Sequence, residues 1–524
     1  VSVAGDVTLP AERRADSASV EGGALGLPWA VWVLAAAIVL LELTVGPRYG
    51  FFRDEYYYLA CADHLDWGYV DQPPLSIAVL AAVRAALGDS LWAVRLVPAL
   101  LGAALVVLGG QLARALGGGR YARILGAVAV AVVPQYLGQA GYYSMNSFDL
   151  VFWAAAALLV ARLTPEEQGW RRFVALGLVL GLGLLNKVSV LFFGAGLAVA
   201  LVVTPLRRLL LRPGLWLAAG IAGLVFLPHV LWQVHNGFPT REFIENATRL
   251  KNVGLSPLQF LASQIPEIHP LNAPLWIAGL AWLLLSRRGR PYRALGIIYV
   301  VALAILAVQH SKPYYLGPAY PPLLAAGAVV VEGLRWRWVR PVIVAVLLLT
   351  GAALAPFAIP VLPVDTFIAY QKALGATPQQ SERSTLGPLP QFFADRFGWE
   401  ELTETVATAY RSLSPDEQAR VIIVTRNYGE AGALRYLGRR FGLPLAVSQH
   451  NSFYFWGPGR EQVDVAIIVG MNPDDLRDSW TSVETAGRFH SPYAMPYEQR
   501  WPILVCRGLR LPLQDAWRRG RHFI

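Results

Sequence analysis

A mainly α, polytopic bundle of membrane helices with a small water-facing α/β domain at its C-terminus is the fold class this chain predicts, and three observations predict it. Of its 524 residues, 55% are hydrophobic and only 15% charged, with a mean hydropathy of +0.43, which is too apolar for a soluble protein of ordinary composition. Apolar runs approaching the roughly 20 residues a helix needs to cross a ~30 Å hydrocarbon core recur up to about residue 359. Beyond that point charge density rises and the apolar runs shorten to strand length.

Taken in order, the apolar runs predict about eleven transmembrane helices, near 29–46, 93–116, 122–137, 148–163, 173–186, 188–205, 214–233, 271–286, 294–308, 317–334 and 341–359. The net charge is +10, but the basic residues gather in short loops, as in Arg287, Arg288, Arg290 and Arg293. That distribution speaks for membrane orientation and against nucleic-acid binding. Threaded from a cytoplasmic N-terminus, the arginine-rich loops all fall on one side, the cytoplasm. The predicted organisation is a cytoplasmic tail at 1–28, a transmembrane module at 29–359 with its first outer loop at 47–92, and an extracytoplasmic α/β domain at 360–524. Arg13 and Arg14 before the first apolar run resemble a signal peptide, but the run lacks a small-residue cleavage pattern and reads as a retained helix.

In the tail, strands are expected at 421–424, 463–469 and 503–505, with a helix at 429–441 stopped by Gly442 and Pro444. Cys61 and Cys506 are the only cysteines; both are expected outside, where a disulfide is chemically permitted, but their spacing does not indicate one and two free thiols are the favoured reading.

The segment from Arg48 to Leu75, RYGFFRDEYYYLACADHLDWGYVDQPPL, concentrates charge beside lipid. Asp54 and Glu55 are adjacent carboxylates just past the first helix, and Asp71 precedes the Pro73-Pro74 stop. Short helices at the interface would place Tyr56, Tyr57, Tyr58, Trp67 and Tyr69 at headgroup level. A single acid on such a loop is ordinarily solvated; the cluster argues for chemistry. Asp149 stands at the start of the fourth helix, where it could equally complement the helix dipole. Lys187 and Lys312 occur at the same depth. Each could snorkel to the surface, but two lysines converging on an acidic loop make an anion site suited to a phosphate at a membrane surface. His64, His229, His235, His269 and His310 lack tight metal-ligand spacing and read as interfacial hydrogen-bonding groups; Asp71 and His235 are the pair that would take a divalent metal were one used. Neither Ser144 nor Ser147 has an identifiable base, so no Ser-His-Asp arrangement is readable.

On the RDEYYY segment from Arg53, HLDWGYVDQPPL from His64, VRLVPALLGA from Val94, Asp149, LNKVSVL from Leu185 and KPYYLGPAYPPLLAAG from Lys312, the chain resembles bacterial members of the dolichyl-phosphate-mannose protein mannosyltransferase family. That family, GT39 or PMT-type, lies within the GT-C superfamily of polyprenyl-phosphate-sugar-dependent glycosyltransferases. NYGEAGALRYLGRRFGLP from Asn427 and HNSFYFWGPG from His450 resemble the outer domain of bacterial relatives. The resemblance implies a lipid-linked sugar donor entering from the bilayer and a hydroxyl acceptor (protein, lipid or cell-envelope glycan) arriving from outside; a divalent metal ion is the one cofactor left open, and no other is called for. It implies Asp54 as the catalytic base, assisted by Asp149, with Glu55 as the second member of the pair. Related aminoarabinose transferases of lipid A carry Glu-Lys-Pro where this chain has Asp71-Gln72-Pro73, which puts Gln72 in place of a phosphate-binding lysine. Donor-phosphate binding would then fall on Lys187 and Lys312, with Gln72, Tyr314 and Tyr315 beside them.

The rival reading is a transporter or flippase of lipid-linked sugars. Transporters place ionisable groups at interrupted helices near mid-bilayer, whereas here they gather at one boundary. A glycan receptor without catalysis would be separated from both by its failure to cleave a donor.

Overall fold

The computed structural model describes residues 26–378 and 382–524. Arg13, Arg14 and most of the expected cytoplasmic tail lie outside the described residues. Helices α1 (Trp29–Val45), α2 (Arg53–Ala62), α3 (Leu75–Leu87), α4 (Leu91–Ala115), α5 (Arg120–Ala131), α6 (Pro134–Ala140), α7 (Met145–Ala161) and α8 (Trp170–Asn186) form the first half of the bundle. Its second half is α9 (Val190–Val203), α10 (Pro213–His235), α11 (Pro239–Asn246), α12 (Pro257–Glu267), α13 (Ala273–Leu285), α14 (Arg293–Val308), α15 (Pro321–Glu332) and α16 (Val339–Leu354).

Each of the eleven expected apolar segments is helical. Among the described residues, however, five helices are long and apolar enough to cross a membrane, or up to nine when each bent pair counts as one span. A count of eleven uninterrupted spans therefore does not emerge. The four bent pairs turn by 67°, 102°, 105° and 56°, and prolines open the second segment of each: Pro134, Pro205, Pro270 and Pro321. A ring in place of an N–H is tolerated at a helix start and not in its interior, so a proline run breaks the span there. Hydropathy smooths over such breaks.

Lipid tails are as apolar as leucine, so close packing rather than the hydrophobic effect holds such helices together. The α13–α15 contact illustrates this. A Cβ at Gly279 would collide with the Leu323 carbonyl, and one at Gly327 with the Leu275 carbonyl; only glycine permits that approach.

The tail forms a five-stranded sheet, β1 (Ile422–Thr425), β2 (Ala446–Ser448), β3 (Val465–Val469), β4 (Trp480–Gly487) and β5 (Ile503–Leu509), in the order β2-β1-β3-β5-β4. β1 pairs in parallel with β2 and β3, while β5 runs antiparallel to β3 and β4. Helices α17 (Val364–Ala373), α18 (Gln391–Ala394), α19 (Trp399–Arg411), α20 (Pro415–Arg420) and α21 (Tyr428–Leu437) surround or precede it. The three expected strands and the expected helix are present; β2 is too short, and β4 too polar, to stand out in the sequence. Cys61 and Cys506 are both free and buried.

One expectation is corrected. Tyr56, Tyr57, Tyr58 and Tyr69 are buried rather than at headgroup level, and of the five loop aromatics only Trp67 is exposed. The reason is α21, which lies directly on α2: a Cβ at Gly432 would come within 2.7 Å of the Tyr56 backbone. Tyr56 packs on Trp399 and Tyr436, and Tyr57 on Tyr428 at 4.7 Å between centroids. Burial against the C-terminal domain removes more aromatic surface from water than an interfacial position would.

Candidate active site

The short helix α2 fixes the acidic pair. Residues adjacent on a helix point about 100° apart, so Asp54 and Glu55 have separate surroundings. Asp54 lines a cavity of about 820 Å³, together with Asn146, Lys312, Tyr314, Glu382 and Asp395 among others. Its Oδ1 accepts a 2.9 Å hydrogen bond from the Tyr428 hydroxyl, and Arg53 Nε stands 3.6 Å away. About a third of the Asp54 side chain remains exposed, which leaves the carboxylate open to a substrate.

Glu55 does not line the cavity. It is fully buried, receives Arg95 through both carboxylate oxygens at 2.9 and 2.6 Å, and accepts the Tyr143 and Phe52 main-chain N–H groups at 2.8 Å each. A carboxylate so engaged anchors a loop and has no access to a reacting atom. The geometry thus places Glu55 with the framework and corrects its expected catalytic position.

Asp149 lies one turn inside α7, whose N-cap is Ser144, accepting from Asn146 N at 3.2 Å. Capping is therefore not its role. Its Oδ1 accepts from Ser189 Oγ at 2.6 Å and its Oδ2 stands 3.5 Å from Lys187 Nζ. Lys187 in turn donates to Asn146 Oδ1 at 2.8 Å and lies over the Tyr315 ring at 4.8 Å and the Tyr314 ring at 5.7 Å. Asn146 and Tyr314 are cavity-lining, so Lys187 and Asp149 stand immediately behind the cavity wall. The two aromatic faces hold the ammonium by cation–π attraction.

Lys312 lines the cavity directly and is bound to Glu382 at 2.7 Å. Glu382 also faces Lys251 at 3.7 Å and accepts from Gln391 at 2.9 Å. Burial opposes the charge on Glu382, but Lys251 and Lys312 outweigh it and hold the carboxyl below its usual range. Burial likewise opposes the Lys312 ammonium, and Glu382 more than restores it. Asp395, buried against Arg53 at 3.5 Å, is pushed up to about 7 by burial, with Arg53 pulling the other way.

Gln72 is fully buried, and its side-chain amide has no hydrogen-bond partner among the described residues; it does not line the cavity. Asp71 accepts from the Tyr57 hydroxyl at 2.9 Å, while His235 is exposed at the end of α10. Among the described residues no group of three or more His, Cys, Asp or Glu side chains is arranged to hold a metal, so the Asp71–His235 pair gains no third ligand. Burial pushes the Asp71 carboxyl up to about 6, the Tyr57 hydrogen bond opposing the shift. The folded state then binds this proton more tightly than an unfolded aspartate of pKa about 3.9 does. Its contribution to stability is full below about pH 4 and is lost as pH rises through 6. The Asp71→Asn variant should flatten that part of the pH–stability profile in detergent; an unchanged slope between pH 4 and 6 would refute the assignment.

Sequence reasoning missed Glu382, Lys251 and Tyr428. Tyr428 falls within the quoted NYGEAG segment, a signal that could have flagged it; Glu382 and Lys251 carry no local motif.

The family model described as dolichyl-phosphate-mannose-protein mannosyltransferase matches residues 71–232. Lipid A galacturonosyltransferase RgtD of Rhizobium johnstonii is 30% identical over 238 residues, 43% of this chain and 48% of the relative; the matched region thus spans about half the length of that protein. Among solved structures, ArnT from Cupriavidus metallidurans bound to undecaprenyl phosphate superposes with a TM-score of 0.60 at 16% identity, covering 91% of this chain and 97% of that one. Its apo form gives 0.59 at 17% identity with the same coverage. Over residues 71–232 the chain is thus similar in sequence to that mannosyltransferase family, and over nine-tenths of its length it shares the fold of ArnT.

Proposed function

We propose that the chain transfers a sugar from a polyprenyl-phosphate donor to an acceptor hydroxyl on the outer face of the membrane, by a single displacement that inverts the anomeric centre. The observation that carries this reading is the cavity of about 820 Å³ lined by both a partly exposed carboxylate, Asp54, and an ammonium, Lys312. The ArnT structure that shares this fold holds undecaprenyl phosphate, and RgtD is named for sugar transfer to lipid A.

In the reaction, Asp54 takes the proton of the acceptor hydroxyl as its oxygen bonds to the anomeric carbon. The bond from that carbon to the phosphate oxygen breaks, and polyprenyl phosphate leaves with the electron pair. Tyr428 holds Asp54 in place through the 2.9 Å hydrogen bond. Lys312 and, from behind Asn146 and Tyr314, Lys187 stabilise the charge on the leaving phosphate. Each ammonium has a carboxylate at its back, Glu382 or Asp149, and an ammonium with three N–H donors has others left for the phosphate.

The direct test is incubation of purified protein with labelled polyprenyl-phosphate sugars and a cell-envelope extract. Label should pass to the extract; label that stays on the lipid with every donor would overturn the reading. Lys187→Met should weaken polyprenyl-phosphate binding roughly 10- to 100-fold, the worth of one charge-assisted hydrogen bond. Because that variant strands Asp149, Lys187→Met/Asp149→Asn serves as the folded control. Wild-type donor affinity in both would remove Lys187 from the phosphate site.

A further inference from the structure

Beside the large cavity lies a second one of about 350 Å³, lined by Lys251, Arg383, Arg426 and Tyr428, and sharing Arg53 and Glu382 with the first. Its size falls within the roughly 300–1,000 Å³ typical of small-molecule sites. Two elements far apart in sequence supply its cations: Lys251 from the segment after α11, Arg383 and Arg426 from the C-terminal domain.

The charges do not cancel. Arg53 is committed to Asp395, Asp54 and the Tyr497 hydroxyl. Glu382 is shared between Lys312 and Lys251. Arg383 spends its Nε on the Asn252 carbonyl at 3.1 Å, and neither Arg383 nor Arg426 forms an ion pair among the described residues. The remaining carboxyl in the wall, Glu430, is buried against Glu498, and burial together with that neighbour pushes it well above the usual carboxylate range. It therefore offsets little of the positive charge. The main-chain oxygen of Ile524 is taken up by His450 Nε2 at 2.8 Å.

Position gives this positive cavity its meaning. Arg53 and Tyr428 are in its wall, and both contact Asp54: Tyr428 by its hydroxyl at 2.9 Å and Arg53 at 3.6 Å. Asp54 itself lines the larger, donor-sized cavity and not the second one, so a molecule seated in the second cavity would reach that carboxylate past Arg53 and Tyr428.

We propose that the second cavity seats the acceptor, and that the acceptor carries an anionic phosphate group near the hydroxyl that receives the sugar, held by Arg383, Arg426 and Lys251. This rests on the transferase reading above. Guanidinium groups bind phosphate in two-pronged fashion, which would fix the hydroxyl's orientation as well as its presence.

The test is binding, so that it does not depend on turnover. Full-length protein in detergent is titrated with sn-glycerol 3-phosphate and with glycerol, and protein in nanodiscs is titrated with phosphatidic acid. Saturable binding of either phosphate probe, with none of glycerol, is expected, and the arm that binds more tightly tells whether the phosphate is soluble or lipid-borne. The Arg383→Ala/Arg426→Ala variant, altered at exposed side chains and so expected to fold, should lose at least tenfold in affinity for that probe. Its affinity for polyprenyl phosphate should stay at the wild-type level, while Lys187→Met should show the reverse pattern. Equal phosphate affinity in the double variant and wild type, or glycerol binding as well as its phosphate, overturns the proposal. So does loss of the probe in Lys187→Met alone, which places it in the donor cavity. A protein that binds the probe as expected but transfers no sugar would sink the transferase reading instead, so the two failures are distinguishable.

Discussion

Asp54→Asn should reduce sugar transfer by roughly 10²- to 10⁴-fold, the usual worth of a positioned general base, while polyprenyl-phosphate binding and the unfolding temperature in detergent stay near wild type. The substitution keeps size, and its amide oxygen can still accept the Tyr428 hydroxyl that now bonds Oδ1 at 2.9 Å. What it removes is the ability to take a proton. Because Asp54 is partly exposed on a cavity wall and its one close cation, Arg53, has Asp395 as a second partner, loss of its charge strands no buried group. Initial rates with a labelled donor decide the matter. A variant that turns over within a few-fold of wild type would mean that another cavity-lining carboxyl accepts the proton, Asp395, which burial pushes up to about 7, being one such group.

The sequence made the membrane module legible because hydropathy is a sum over many residues and survives local irregularity. All eleven apolar runs are helical for that reason, and the bends opened by Pro134, Pro205 and Pro321 within three of them, like the one at Pro270 just ahead of a fourth, go unseen for the same reason. The acidic loop was legible as a place. Its internal division was not, since adjacent carboxylates on a helix are chemically identical in sequence and differ only in what the fold puts opposite them. Tyr428 reaches Asp54 across 374 residues of chain, and Glu382 reaches Lys312 across 70; no local pattern encodes either contact. Aromatic residues beside a span usually anchor at the headgroups, so the sequence at 56–58 predicts anchors, and nothing in that stretch announces that α21 covers them. Counter-ions were the hardest part to foresee. The sequence suggested lysines awaiting a phosphate, and the structure supplies each with a carboxylate.

Arg95→Met should cost about 3–5 kcal/mol of stability, the expected penalty for leaving a buried charge without its partner, and should do so whether or not substrate is present. Arg95 is 2% exposed on α4, with its guanidinium divided between Glu55 and the carbonyls of Gly46 and Gly50. Those two carbonyls belong to the turn that leads from α1 into α2, and Glu55 ties the same turn to Tyr143 ahead of α7. One ion pair thus joins the first helix, α4 and the approach to α7 at the base of the loop that presents Asp54. Glu55→Gln should be destabilising by a similar route, and Arg95→Met/Glu55→Gln should lose less than the sum of the single variants, because each single change strands a charge that the double removes. Thermal unfolding in detergent measures the three. The comparison also separates the two roles open to Glu55 from its sequence: a catalytic carboxylate would lose activity at an unchanged unfolding temperature, whereas an anchoring one loses both together. Strict additivity of the two single effects would mean that Arg95 and Glu55 act independently, and Glu55 would then return as a candidate for the chemistry.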